Sequence, residues 1–149
     1  MAGLLVDSSV WVAVAFRRHP HHVIAQDELE RATQDQPAMF CRATQQSFLR
    51  LVSTPQISRA YQSQPVTNRA AWSAYETLLA RSTVAFLDEP RGTVALGHRL
   101  ATLDTSSPKV WMDAYLAAFA MKGGLEFVTL DRDFRIYEPH GIRLRLLMK

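Results

Sequence analysis

Apolar residues fall along this chain in short unbroken runs, separated by longer stretches where they recur every three or four positions. GLLVDSS, near the start, is an apolar run ending in an acid and two hydroxyls, the pattern of a buried strand feeding a helix. VWVAVAF predicts that helix despite its valines, and HPHHVIAQDELERATQ sets Val23, Ile24, Ala25, Leu29 and Ala32 near helical spacing. PAMFCR reads as a second short strand, followed by ATQQSFLRLVS as a helix with Phe48, Leu49, Leu51 and Val52 apolar. Pro55 and Pro65 punctuate a loop-rich passage before NRAAWSAYETLLARS, an amphipathic helix from about Thr67. TVAFLDE is a third strand, GTVALGHRLATL another helix, EFVTLD a fourth strand and IRLRLLM a candidate fifth.

SSPKVWMDAYLAAFAMKGG reads as the longest helix, with Ser107 as N-cap, Pro108 at the first helical position and Gly123–Gly124 as its end. Strands alternating with helices predict an α/β fold: a central, mainly parallel sheet of four to five strands covered by helices on both faces. No internal repeat, low-complexity tract or linker interrupts residues 1–149, so one domain is expected.

Bulk properties narrow the setting. The 149 residues are 48% hydrophobic and 21% charged, with a net charge of +3, which suits an ordinary folded protein. Cys41 is the only cysteine, so no intrachain disulfide can form and a reducing, cytoplasmic compartment is the expectation. Neither a basic signal-peptide start nor an apolar run long enough to span a membrane is evident. Fourteen arginines against three lysines lean towards phosphate recognition, although GC-rich coding produces the same bias.

The acids carry the chemistry. Between Lys109 and Lys122 the long helix holds one charged side chain, Asp113, six residues past the cap and beyond the reach of the helix dipole. An ionised group in so apolar a helix needs a partner. Lys109, one turn earlier, is a candidate partner; a bound metal is another. Asp7 closes the first strand and Asp131 the fourth, with Asp133 two residues later. In open α/β sheets ligands bind beyond the carboxyl ends of the strands, where these acids would meet. Asp7 as a helix cap and Asp131 as a turn starter are the local alternatives. Clustered carboxylates suit a hard cation such as Mg²⁺ or Mn²⁺, which activates water for phosphoryl displacement.

LLVDSSVW, FCRATQQSFLRLVS, KVWMDAYLAAFA and FVTLDRDF, in this order, resemble the PIN-domain family, and most closely the VapC-type toxins of bacterial toxin–antitoxin pairs. HPHHVIAQDELE also resembles the His-containing second helix of that group. The resemblance implies a PIN-like three-layer fold over the whole chain and a Mg²⁺-dependent ribonuclease, with Mn²⁺ as a substitute. It implies Asp7, Asp113 and Asp131 as catalytic acids, with Asp7 and Asp113 holding the metal and Asp133 an alternative fourth acid. An RNA substrate, a cognate antitoxin and a homodimer are the implied partners. One family acid is missing: Ser47, preceded by Gln45 and Gln46, stands where many PIN domains carry a glutamate three residues before an arginine like Arg50. A PIN fold that binds RNA or a partner but cleaves poorly is therefore the alternative.

Ser8, Ser9 and Thr129 are candidates to orient the acids, and Arg50, Arg132 and Arg135 to hold RNA phosphate. His19, His21 and His22 sit at a loop-to-helix boundary without further ligands at zinc spacing, and a solvated or RNA-facing turn is expected. Trp11, Trp72 and Trp111 occupy apolar helical positions, which favours core or dimer packing over base stacking. Cys41 is expected to be inert packing. Two phosphotransfer classes fit poorly. A nucleophilic-aspartate phosphatase wants a second acid where Ser9 stands; a receiver domain wants an acidic pair by the first strand and a late lysine.

Overall fold

Among the described residues five short parallel strands make the sheet, in the order β3-β2-β1-β4-β5. The computed structural model describes residues 3–148. The strands are β1 (Leu4–Val6), β2 (Ala38–Phe40), β3 (Val84–Phe86), β4 (Glu126–Thr129) and β5 (Arg143–Leu146). The helices are α1 (Ser8–Ala15), α2 (His22–Arg31), α3 (Arg42–Val52), α4 (Pro55–Ala60), α5 (Asn68–Leu79), α6 (Thr93–Ala101) and α7 (Pro108–Lys122).

β1, β2 and β3 are apolar throughout, as strands covered on both faces are, while β5 alternates Arg143 and Arg145 with Leu144 and Leu146. Successive side chains point to opposite faces, so each strand feeds two cores. Val6, Phe40 and Val128 join Trp11 of α1, Leu29 of α2, Phe48 of α3 and Tyr75 of α5. Leu5, Met39 and Phe127 join Ala114, Ala117 and Phe119 of α7, with Phe134 and Tyr137 beyond β4. Trp11 is fully buried and stacks on Phe40, centroids 4.1 Å apart and rings 9° from parallel.

The α/β expectation holds, with five strands, all parallel. Several local expectations change. The passage between Pro55 and Pro65 contains α4, because Pro55 sits at the first helical position, where its fixed φ starts a helix. Residues 132–140 form a 3₁₀ segment that sequence periodicity did not announce. Ser107 holds the N-cap position of α7, but its hydroxyl lies 2.8 Å from that of Thr105 and makes no cap bond. At the other end Gly124 takes a φ of +64°, which terminates α7. Of the three tryptophans only Trp11 enters the core; Trp72 and Trp111 remain 45% and 58% exposed.

Candidate active site

Parallel strands put all their carboxyl ends at one edge, and the pairing of β1 with β4 sets Val6 opposite Val128. Asp7 and Thr129 consequently become neighbours across the sheet. The Thr129 hydroxyl donates to Asp7 Oδ2 at 2.7 Å and accepts the Asp131 N–H at 3.0 Å. Ser9 donates to the same Asp7 oxygen at 3.2 Å, and its hydroxyl accepts the Leu130 N–H at 3.3 Å. Ser8 lies 3.5 Å from the other Asp7 oxygen. Asp7 holds the N-cap position of α1, but its side chain makes no cap bond; the carboxylate bonds to these hydroxyls instead.

α7 brings the third acid. Asp113 is paired with Lys109 Nζ at 3.1 Å, one turn apart. The same ammonium lies 2.8 Å from Asp131 Oδ2 and 3.0 Å from Asp133 Oδ2. Lys109 thus bridges three carboxylates, where spacing alone suggested one. Asp131 also starts the 3₁₀ segment by accepting the Asp133 N–H at 2.9 Å, so its turn-forming role and its place beside the cation coexist.

Electrostatics separate the acids. Burial pushes the Asp7 carboxyl above its ordinary value, the Thr129 and Ser9 hydroxyls oppose it, and the charge of Asp113 adds to the rise. Asp113 is also raised by burial, which outweighs Lys109, with Asp131 and Asp133 pushing the same way. Burial alone would raise Asp131, but Lys109 and the Asp133 N–H hold it down. Burial alone would lower Lys109; its three carboxylates outweigh that and raise it. Tyr137 is a neighbour that the sequence reading missed. Its hydroxyl is buried without a hydrogen-bond partner, and burial plus the Asp113 charge lift its pKa to about 12.

The remaining candidates are dispersed. Ser47 is half-buried on α3, while Gln45 is the buried amide of that helix, accepting from Arg42 at 2.5 Å. Arg50, Arg132 and Arg135 are exposed. The histidines serve local structure: the His21 N–H donates to His19 Nδ1 at 3.0 Å, and His22 Nδ1 lies 2.8 Å from the Ala13 carbonyl. Cys41 is buried at the start of α3.

The donors fit a hard cation. All are carboxylate or hydroxyl oxygens, two of the acids are held uncomfortably when ionised, and an ammonium already stands among three of them. Among the described residues no three acidic, His or Cys side chains group tightly enough to make a complete metal cage. Mg²⁺ does not require one, since it binds through one or two carboxylates and keeps water and phosphate. Among the described residues no helix is long and apolar enough to cross a membrane.

Comparison with known proteins agrees with the fold. The PIN domain model matches residues 4–138. Ribonuclease VapC41 of Mycobacterium tuberculosis is 45% identical over 147 residues, covering 98% of this chain and 99% of that protein. Among solved structures, M. tuberculosis VapC20, a Sarcin-Ricin loop cleaving toxin, superposes with a TM-score of 0.64 at 19% identity, covering 96% of this chain and 99% of its own. VapBC-1 from nontypeable Haemophilus influenzae gives 0.65 at 13% identity over the full length of both chains. The chain belongs to the PIN-domain family and, within it, to the VapC group.

Proposed function

We propose that this protein is the toxin of a type II toxin–antitoxin pair, a Mg²⁺-dependent endoribonuclease that Mn²⁺ also supports. The observation that carries the reading is at the carboxyl edge of the sheet: the Thr129 hydroxyl links the Asp7 carboxylate to the Asp131 N–H, and Lys109 bridges Asp113, Asp131 and Asp133.

Asp7 and Asp113 would hold the cation. When bound, it supplies a lowered pKa for water and neutralises charge on the scissile phosphate. Ser9 and Thr129 fix the Asp7 carboxylate, so its oxygens face the site in one orientation. Asp131, kept ionised by Lys109, is the acid that orients attacking water and accepts its proton. Lys109 neutralises the carboxylates of the cleft, and a bound cation would compete with its ammonium for them. A cognate antitoxin and a second copy of the chain are the expected protein partners. The relatives support this reading by name: one is a ribonuclease, and others were solved as VapBC assemblies.

A second reading has its own observation. Ser47 brings no charge where a glutamate is usual, and Lys109 fills the acid cluster, which suits a weakened enzyme that binds RNA or a partner. Purified protein incubated with total RNA, with and without Mg²⁺ or Mn²⁺, separates the two. Discrete metal-dependent fragments are expected, and Asp113→Asn should reduce their formation by at least about 100-fold, given the several kcal/mol a catalytic metal supplies. No metal-dependent fragments from the unaltered protein would overturn the nuclease reading in favour of the second.

A further inference from the structure

Tyr137 carries a polar atom that the fold buries and does not use. The residue is 3% exposed, and its hydroxyl has no hydrogen-bond partner among the described residues. A buried donor in that condition is destabilising where it stands, which asks for an acceptor within its reach. Burial first, and then the charge of Asp113, raise the pKa of this hydroxyl to about 12, so its proton is in place at neutral pH. Asp113 is the acid whose charge is felt there.

The packing explains the proximity. Tyr137 shares a core with Ala114 and Ala117 of α7. Asp113 immediately precedes the first of these and stands one turn before the second, so side chains 113 and 117 lie on one side of the helix. The 3₁₀ segment that carries Tyr137 packs on α7, and Asp131 starts it. Lys109 ties that start to Asp113 through Asp131 and Asp133. The orphaned hydroxyl therefore belongs to the same junction of α7 and the 3₁₀ segment as the acids.

Asp113 has the complementary shortage. Its side chain is 15% exposed and burial raises its carboxyl, with Lys109 opposing the rise. That ammonium is shared among three carboxylates, and it is the group with which a cation would compete. An acid that gives it up needs another donor to keep one orientation. We propose that Tyr137 is a positioning residue: its hydroxyl donates to the Asp113 carboxylate once Asp113 parts from Lys109. The carboxylate turns, and the buried ring stays where packing holds it. The inference rests on the reading of Asp113 as a metal ligand and names the residue that steadies it. Each metal-holding acid then has its own hydroxyl support, Asp7 from Ser9 and Thr129 and Asp113 from Tyr137.

Two measurements on the full-length protein test this, one of them without metal. In EDTA, Tyr137→Phe alone should leave Tm unchanged or slightly raised, since the hydroxyl has no partner while Lys109 holds Asp113. In a Lys109→Met background the same change should lower Tm by roughly 3–12 °C, the scale of one hydrogen bond to a charged group. Adding Asp113→Ala should abolish that fall, which a hydroxyl serving only the fold would retain. The second measurement is Mn²⁺ titration by calorimetry, in which Tyr137→Phe should weaken binding by about 10- to 100-fold. A Tyr137→Phe effect on Tm that is the same with and without Lys109 would overturn the proposal. So would a Mn²⁺ affinity that the change leaves untouched. The metal reading fails separately. A fall in Tm that depends on Lys109 and Asp113, with no Mn²⁺ bound by the unaltered protein, sinks the metal reading and leaves the hydroxyl–carboxylate bond standing. Mn²⁺ binding indifferent to Tyr137 does the reverse.

Discussion

Replacing Lys109 by methionine should make the metal-free protein less stable and the same protein a better metal binder. The Nζ atom lies 2.8–3.1 Å from Asp113, Asp131 and Asp133, so one substitution strips three acids of a shared counter-ion. The lysine side chain is 58% exposed, so water screens each pair and about 0.2–1 kcal/mol is the proper scale for each. Asp113, at 15% exposure, belongs at the upper end of that range and Asp133, at 71%, at the lower. The three together give about 1–2 kcal/mol, or a fall in Tm of roughly 2–7 °C for a chain of this size. Methionine preserves the apolar stem of lysine, so packing should contribute little to the change. A cation competing for the same carboxylates no longer displaces the ammonium, and its dissociation constant should tighten by a similar free energy, about 5- to 30-fold. Thermal melts in EDTA and Mn²⁺ titration by calorimetry measure the two halves. A Lys109→Met protein that melts at or above the unaltered one in EDTA, and binds Mn²⁺ no tighter, would refute the picture of Lys109 as a resident counter-ion.

Other substitutions probe the surrounding contacts. Thr129→Val keeps the shape but removes the hydroxyl between Asp7 and Asp131, so Mn²⁺ affinity should weaken by about 10- to 100-fold in the same titration. Tyr137→Phe deletes a buried hydroxyl without a partner and should leave Tm unchanged or slightly raised; a clear fall would show that the hydroxyl has a use in the fold. Trp11→Ala opens a cavity beside Phe40 and should cost about 3–5 kcal/mol by denaturant unfolding, against under half of that for Trp11→Phe. Asp7 has its carboxyl raised above the ordinary 3.8, so its contribution to stability is full below that pH and is lost as pH rises through the folded value. In EDTA, Asp7→Asn should therefore gain stability relative to the unaltered protein as pH climbs from about 4 to 7. A pH-independent gap between the two would contradict the raised value.

Much of this arrangement is legible in sequence because local rules fix it. Apolar runs ending in Asp7 and near Asp131 mark parallel strands and the edge where ligands gather, and Asp113 stands out as the one charged side chain between Lys109 and Lys122. What stays hidden depends on distances set by the fold. Lys109 has an obvious partner one turn away, but its reach to Asp131 and Asp133 requires the amino end of α7 to lie beside the end of β4. Trp72 and Trp111 occupy apolar-looking positions in their helices, and only the packing of α5 and α7 against the cores decides that their faces point outward. Tyr137 is invisible for the same reason: a 3₁₀ segment leaves no periodic mark, and an orphaned hydroxyl can be seen only once its surroundings are built.

The bond between Asp7 and Thr129 joins residues 122 positions apart. A ribosome adding about 5–20 residues per second needs roughly 6–24 s to travel that far. During this interval the first acid is already made while its hydroxyl partner, and the acids of α7 and β4, have yet to be synthesised. A growing chain therefore holds no assembled cleft until its last quarter emerges, however early β1 and β2 find each other. Pairing of β1 with β4 is a late, long-range closure, so Asp7 meets Thr129 only after β4 has been made.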